Sequence, residues 1–306
     1  MKLAFAGTPD FAATVLRGLL ASDHEIGLVI SQPSRRRGRG RKLSATPVAE
    51  LAQENGLPLR QPPRIGEVAQ EISDYEALVV AAYGQILRPD TLYAATEGAW
   101  NVHASLLPTY RGAAPIERAI MAGERETGVS IMGMDEGLDT GPVALQYHTP
   151  IPPKMTGGKL TQVLAELGAK AIVETMSILE ENSLTLSQQD NLNATYAPKL
   201  EDEEKVIRWG EKVEKVHDLV RALTPHIGAR TVHSEISGPI KVLRSRVLRD
   251  EPPNAESGTI LPAKGHVLVA CREGILEIME LQMPGGRPLA AEDFLRGRRL
   301  EGVFLS

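Results

Sequence analysis

The sequence predicts an α/β protein in two parts: a doubly wound, mostly parallel sheet with covering helices, then a small antiparallel β-barrel. Three observations predict it. Short apolar runs alternate with segments of helical period through residues 1–189. Those runs show little polar alternation, the mark of strands buried on both faces. Beyond residue 204 the pattern changes to short strand candidates separated by Gly and Pro. The expected boundaries are therefore 1–189 for the first domain, 190–204 for a linker and 205–306 for the second.

The elements follow in order. Leu3–Ala6 reads as a strand ending at Gly7, and Phe11–Leu20 as a helix with Val15, Leu16, Leu19 and Leu20 on one face, opened by Thr8-Pro9-Asp10. Ile26–Ile30 and Ala77–Ala82 are apolar runs of strand length, with helical candidates at Val48–Glu54 and Ile65–Ile72. Later strands are expected at Val102, Val129–Met132 and Val143–Tyr147. A long helix is expected over Lys159–Glu181, with Leu160, Val163, Leu164, Leu167 and Ala171 sharing a face. Together these describe a Rossmann-like domain. Asp190–Glu204 is polar, holds Pro198 and reads as a linker. Then come a helix over Val213–Leu223 and strands at Thr231–Ile236, Ile240–Leu248, Val267–Cys271 and Ile275–Leu281, with turns at Gly238, Gly258, Gly265 and Gly274. One helix and about five short strands suit a barrel of the OB type.

The totals narrow the function. At about 100–200 residues per domain, 306 residues make two, and 42% hydrophobic with 24% charged content is that of a globular chain. The single cysteine, Cys271, has no disulfide or CxxC partner and reads as a buried apolar residue. Lys2–Gly7 is too short for a signal core, and no run approaches the roughly 20 apolar residues of a membrane span, so a cytoplasmic protein with no membrane partner is expected. The net charge of -5 is uneven: residues 1–203 hold 18 Lys and Arg against 25 Asp and Glu, residues 204–306 hold 16 against 14. The second part is thus relatively basic, which suits a polyanion partner without requiring one.

Three segments could carry chemistry. In Asn101-Val102-His103, strand alternation points Asn101 and His103 to one face, where an amide and an imidazole can serve an oxyanion; two satisfied strand-end polar residues are the plainer alternative. In Asp135-Glu136-Gly137-Leu138-Asp139-Thr140-Gly141-Pro142, Asp139 is either a turn former or a carboxylate that orients His103 and favours its charged form. The third is Arg35-Arg36-Arg37-Gly38-Arg39-Gly40-Arg41-Lys42, where six of eight positions are basic and no acid occurs between Glu25 and Glu50. So dense a run favours phosphate binding over a merely solvated face. The seven histidines lack HxH or HxxxH spacing, so no metal is expected, and Gly7-Thr8-Pro9 is not a dinucleotide fingerprint.

Phe5-Ala6-Gly7-Thr8-Pro9-Asp10-Phe11-Ala12, Asn101 with His103, Ser105-Leu106-Leu107-Pro108, Tyr110-Arg111-Gly112-Ala113-Ala114-Pro115-Ile116 and Gly137–Gly141 together resemble the formyltransferases that use 10-formyltetrahydrofolate. Gly38–Leu43 and Tyr196-Ala197-Pro198-Lys199-Leu200 resemble the methionyl-tRNA formyltransferase branch. The resemblance implies a catalytic trio of Asn101, His103 and Asp139, folate contact by Ser105, Leu106, Leu107 and Pro108, and a tRNA-contacting arginine at Arg39, while the charge of the loop extends tRNA contact to Arg35, Arg36, Arg37, Arg41 and Lys42. It also implies formyl transfer to initiator Met-tRNA by a monomer. The chain departs from the family's pattern in its three successive arginines Arg35–Arg37 and in Leu223–Ala229, where a Trp-containing motif is common. A formyltransferase for a UDP-linked amino sugar is the nearest alternative, and the density of cations in the loop argues against it. Glycinamide ribonucleotide formyltransferases resemble the first domain only, and a pure RNA-binding module has no use for the trio.

Overall fold

Leu3, Ala4, Phe5 and Ala6 have no exposed surface, which makes β1 (Lys2–Gly7) a strand covered on both faces. A computed structural model describes residues 1–37, 42–249, 254–297 and 300–305. They form two compact units. The first holds Met1–Pro115, Glu126–Pro150 and Thr161–Ala197, and the second holds Ile116–Arg125, Ile151–Leu160 and Pro198–Ser306. Of the expected linker, residues 190–197 fall in the first unit and 198–204 in the second.

In the first unit, α1 (Asp10–Leu20) buries Phe11, Ala12, Val15, Leu16 and Leu19, the face that its apolar spacing predicts. β2 (Glu25–Ile30) follows, and then a short antiparallel hairpin of β3 (Arg35–Arg37) and β4 (Lys42–Ser44), with Arg35 opposite Ser44 and Arg37 opposite Lys42. The Thr46 hydroxyl accepts the Ala49 N–H at 3.1 Å and Pro47 opens α2 (Pro47–Glu54), a satisfied N-terminus built from local sequence. β5 (Leu59–Arg60), α3 (Ala69–Ile72), β6 (Ala77–Ala81), α4 (Pro89–Leu92) and β7 (Ala99–His103) complete the parallel part. The helix expected over Ile65–Ile72 is instead a 3-10 turn, Ile65–Val68, running into α3.

α5 (Pro115–Ala122) leads to β8 (Glu126–Gly133) and β9 (Val143–Pro150), both antiparallel additions. The sheet order is β5-β2-β1-β6-β7-β8-β9. The strand order reverses between β1 and β6, which sets a crevice outside their C-terminal ends. The long helix α6 (Gly157–Glu180) crosses the sheet at Gly168, where an added Cβ would lie 2.6 Å from a Val102 methyl. On one face, Ala4, Ala6, Leu28, Ile30, Leu78 and Val80 pack against Ile65, Val68, Ile72 and Leu92.

In the second unit α5 is held by a bidentate pair, Arg118 donating to both oxygens of Glu204 at 2.6 and 2.9 Å. α7 (Val213–Ala222) precedes β10 (Ala229–His233), β11 (Ile236–Arg249), β12 (Ile260–Leu261), β13 (Val267–Ala270), β14 (Ile275–Gln282), β15 (Pro288–Ala290), α8 (Ala291–Gly297) and β16 (Phe304–Leu305). The order is β12-β13-β14-β11-β10-β16, with β15 on β14. Phe304 N–H to Gly258 C=O (2.9 Å) and Ile260 N–H to Gly302 C=O (2.8 Å) join the two ends into a nearly closed barrel. The fold class is the expected one. The strand expected over Thr231–Ile236 is broken, however: His233 pairs with Ile236, so the chain reverses at Ser234 and Glu235, and Gly238 lies inside β11 rather than at a turn. Ser-Glu is not among the left-handed turn pairs that sequence reading looks for, and Thr231, Val232 and His233 suit strand up to the reversal.

Candidate active site

β7 ends at the C-terminal edge of the parallel sheet and carries Asn101 and His103 two residues apart, hence on one face. His103 is buried, at 5% exposure. Its Nε2 lies 3.0 Å from the carbonyl oxygen of Tyr110, and because a carbonyl only accepts, Nε2 carries a proton there. Nδ1 faces Oδ2 of Asp139 across 3.6 Å. That gap exceeds a hydrogen bond, so the two groups face one another without closing on each other. Asn101 is half-buried and its side-chain amide makes no hydrogen bond among the described residues. The structure thus brings the three predicted residues Asn101, His103 and Asp139 to one unit and one sheet edge.

Asp139 sits in a loop between β8 and β9 with φ +53°, a left-handed conformation disfavoured for most side chains. Two hydrogen bonds hold it. Its Oδ2 accepts the Gly112 N–H at 2.8 Å, and Oδ1 has no hydrogen bond among the described residues. Its backbone carbonyl accepts from the Gln189 side chain at 2.9 Å. Nearby, Asp135 Oδ1 accepts from Gly137 N–H (3.1 Å) and the Thr140 hydroxyl (2.7 Å), which closes the loop on itself. Gly141 can carry no side chain, since a Cβ would stand 1.8 Å from the Gly133 carbonyl oxygen.

Residues 105–108 form a bend fastened from beneath. The Ser130 hydroxyl donates to the Ser105 carbonyl (2.7 Å) and accepts from Leu107 N–H (3.0 Å), while Gln146 donates to the Leu107 carbonyl (2.9 Å). The Ser105 hydroxyl donates to the Thr109 carbonyl at 2.6 Å, and the Ser105 and Leu107 side chains are buried. Only Leu106 and Pro108 of the predicted folate stretch present partly exposed side chains. Two cavities open in this unit. One, of about 310 Å³, lies at the ends of β1, β2 and β6, lined by Thr8, Pro9, Gln32, Pro33, Ala82 and Tyr83. The other, of about 550 Å³, is lined by Arg64, Ile65, Gln85, Ile86 and Arg88 among others.

Of the predicted tRNA-binding residues, Arg35, Arg36, Arg37 and Lys42 lie on the backbone of the β3–β4 hairpin, and Arg39 and Arg41 lie outside the described residues. In the second unit Lys241 donates to the Ile227 carbonyl at 2.7 Å and Arg246 Nε to Glu277 Oε2 at 2.8 Å, so both cations already have partners. Trp209 is buried, stacked on Phe304 at 5.7 Å, and donates to Thr231, which makes it a core residue of that unit. Cys271 is buried and free, and burial pushes its thiol up to about 12. Sequence reading named Arg111 only as part of a motif and missed Gln189 altogether. No local signal marks a glutamine that acts 50 residues from its partner.

Comparison with known proteins gives a consistent result. The family model described as formyl transferase matches residues 1–176, and that of the formyl transferase C-terminal domain matches residues 199–299. The chain is 61% identical over 304 residues to the methionyl-tRNA formyltransferase of Rubrobacter xylanophilus, covering 99% of each chain. It is 45% identical to that of Carboxydothermus hydrogenoformans, covering 98% of this chain and 97% of the other. The N-formyltransferase of Helicobacter canadensis, solved with folinic acid and dTDP-3-aminofucose, superposes with a TM-score of 0.70 at 18% identity, covering 91% of this chain and 98% of that one. HypX of Aquifex aeolicus, solved with tetrahydrofolic acid, gives 0.67 at 16% identity, covering 96% and 46%. At such identities these two likenesses concern the fold alone.

Proposed function

We propose a reaction on the premise that the chain belongs to the methionyl-tRNA formyltransferase family: it moves the formyl group of 10-formyltetrahydrofolate onto the α-amino group of methionine carried by initiator tRNA. The observation that carries the residue roles is the 3.6 Å gap between His103 Nδ1 and Asp139 Oδ2 beside an uncommitted Asn101 amide.

When the neutral amine attacks the formyl carbon, a carbon–nitrogen bond forms and the carbonyl oxygen gains charge. The Asn101 amide donates to that oxygen, and so does Nδ1 of His103 in its charged form, since Nε2 is already committed to Tyr110. Asp139, whose Oδ1 has no hydrogen bond among the described residues, takes the proton that the amine must shed, directly or through one water. Collapse breaks the bond to the donor nitrogen, which leaves with a proton, so the reaction balances as a proton moved from amine to leaving group. Leu106, Pro108 and the backbone of 105–108 would hold the folate. The basic segment Arg35–Lys42, Arg39 included, would take tRNA phosphates. In this reading residues 1–189 carry the chemistry, 190–204 connect, and 205–306 serve the tRNA. Action as a cytoplasmic monomer belongs to the same proposal.

A transfer assay with radiolabelled 10-formyltetrahydrofolate tests it, offering charged initiator Met-tRNA and a UDP-linked amino sugar in parallel. Label on Met-tRNA alone is expected. Label on the sugar, or on neither, overturns the choice of acceptor.

A further inference from the structure

Arg111 is buried at 2% exposure, yet no carboxylate pairs with it among the described residues. Its guanidinium donates to amide oxygens instead: Nε and Nη2 to Gln189 Oε1 at 3.1 and 2.8 Å, and Nη2 to Asn191 Oδ1 at 2.9 Å. A guanidinium has only donors, so Gln189 must turn its oxygen toward Arg111 and its nitrogen away. That nitrogen donates twice, to the carbonyls of Asp139 (2.9 Å) and Gly141 (2.7 Å). All four hydrogen-bonding positions of the Gln189 amide are thus filled, with one orientation allowed.

The backbone around Arg111 serves the same pair of catalytic groups. Tyr110 offers its carbonyl to His103, and Gly112 offers its N–H to Asp139. The segment carrying Gln189 is bonded to it in turn, through Arg111 N–H to Thr195 C=O (2.9 Å) and Ala197 N–H to Arg111 C=O (2.7 Å). Asp139 has a left-handed backbone that its own loop does not favour, and two of the carbonyls bracketing it are held from outside by one side chain.

We infer that Gln189 is a positioning residue for formyl transfer, fixed in orientation by buried Arg111 and acting through the backbone of the Asp139 loop. The inference rests on the reading of Asp139 as the proton acceptor. Gln189 touches neither substrate nor reacting atom; it sets where the Asp139 carboxylate stands relative to His103. A displacement of about 1 Å at such a group can cost ~10²-fold in rate.

The test is a double-mutant cycle of Gln189→Glu and Asp139→Asn, read as kcat, as KM for each substrate and as Tm. Gln189→Glu keeps the size and the Arg111 contact but replaces both donors with an oxygen that repels the two carbonyls. Alone it is expected to lower kcat at least ~10-fold, with each KM within ~2-fold of the parent and a Tm that, though lowered, stays above the assay temperature. In the Asp139→Asn background it is expected to cost less than ~2-fold more, because the group it positions is gone. An equal loss in both backgrounds, or no loss in the parent, overturns the inference while leaving the role of Asp139 intact. Near-parental activity of Asp139→Asn alone overturns that role instead, and the inference with it. Should Gln189→Glu fail to fold, Gln189→Met carries the same cycle with the same expected outcomes.

Discussion

The Oδ2 atom of Asp139 accepts the backbone N–H of Gly112 at 2.8 Å. An asparagine can keep that bond through its amide oxygen, so Asp139→Asn separates the charge of the side chain from its structural contact. The variant is expected to fold with an unchanged Tm and to turn over at least ~10²-fold more slowly, because it removes the proposed base for the amine proton. Single-turnover kinetics with Met-tRNA check this, and a folded variant at near-parental rate would refute the role.

In the proposed function the arginines of segment 35–42 serve tRNA binding rather than chemistry. Arg39→Ala is expected to raise KM for tRNA severalfold at low salt and to make that KM rise less steeply with salt, with folate binding unchanged. Titration of the folate analogue by fluorescence, alongside tRNA kinetics at two salt concentrations, separates the two effects. Equal losses of both would make the loop structural.

Gly258 closes the barrel with φ +89°, and a Cβ there would stand 2.4 Å from the Phe304 carbonyl oxygen. Backbone cannot retreat as a flexible side chain can. Gly258→Ala is therefore expected to destabilise the second unit by about 2 kcal/mol or more, seen as a lower denaturant midpoint. An unchanged midpoint would mean that the closure is loose.

His217 on α7 is poised between the Ser245 hydroxyl (2.9 Å) and the Pro153 carbonyl (3.3 Å). Burial holds its imidazole below the usual range, opposed by the Pro153 bond and Asp218 and assisted by Arg221. A depressed value means that the unfolded chain takes up the proton first as pH falls. The stability of the second unit is then full above about 6.5, the unfolded value, and is lost as pH drops from there through the folded value. Chemical denaturation from pH 8 to 5 should show this decline, and His217→Gln should flatten it.

What the sequence made legible follows from distance along the chain. Apolar runs such as Leu3–Ala6 and Ala77–Ala82 announce buried strands by themselves, and Asn101 with His103 shares one strand, so alternation alone puts them on one face. The Arg35–Lys42 hairpin was read as charge and not as strand, because arginine carries no periodic apolar signal. Gln189 was invisible for another reason. Its proposed role depends on Arg111 and Asp139, 78 and 50 residues away, and nothing in a polar stretch distinguishes a half-buried amide with fixed partners from a solvated one. Within the stretch 105–108, expected to contact folate, the Ser105 and Leu107 side chains are buried, since the bend they occupy is fastened by Ser130 and Gln146.

The segment 187–197 lies outside both family-matched stretches, 1–176 and 199–299, yet it belongs to the first unit and grips the Asp139 loop. The two halves are therefore not freely exchangeable parts. A hybrid of two relatives spliced at residue 186 would inherit Asp139 from one parent and Gln189 from the other, and its turnover would depend on whether those parents agree. Splicing after Ala197 keeps Arg111, Asp139 and Gln189 from one parent, so a junction there is expected to preserve turnover where one at residue 186 does not.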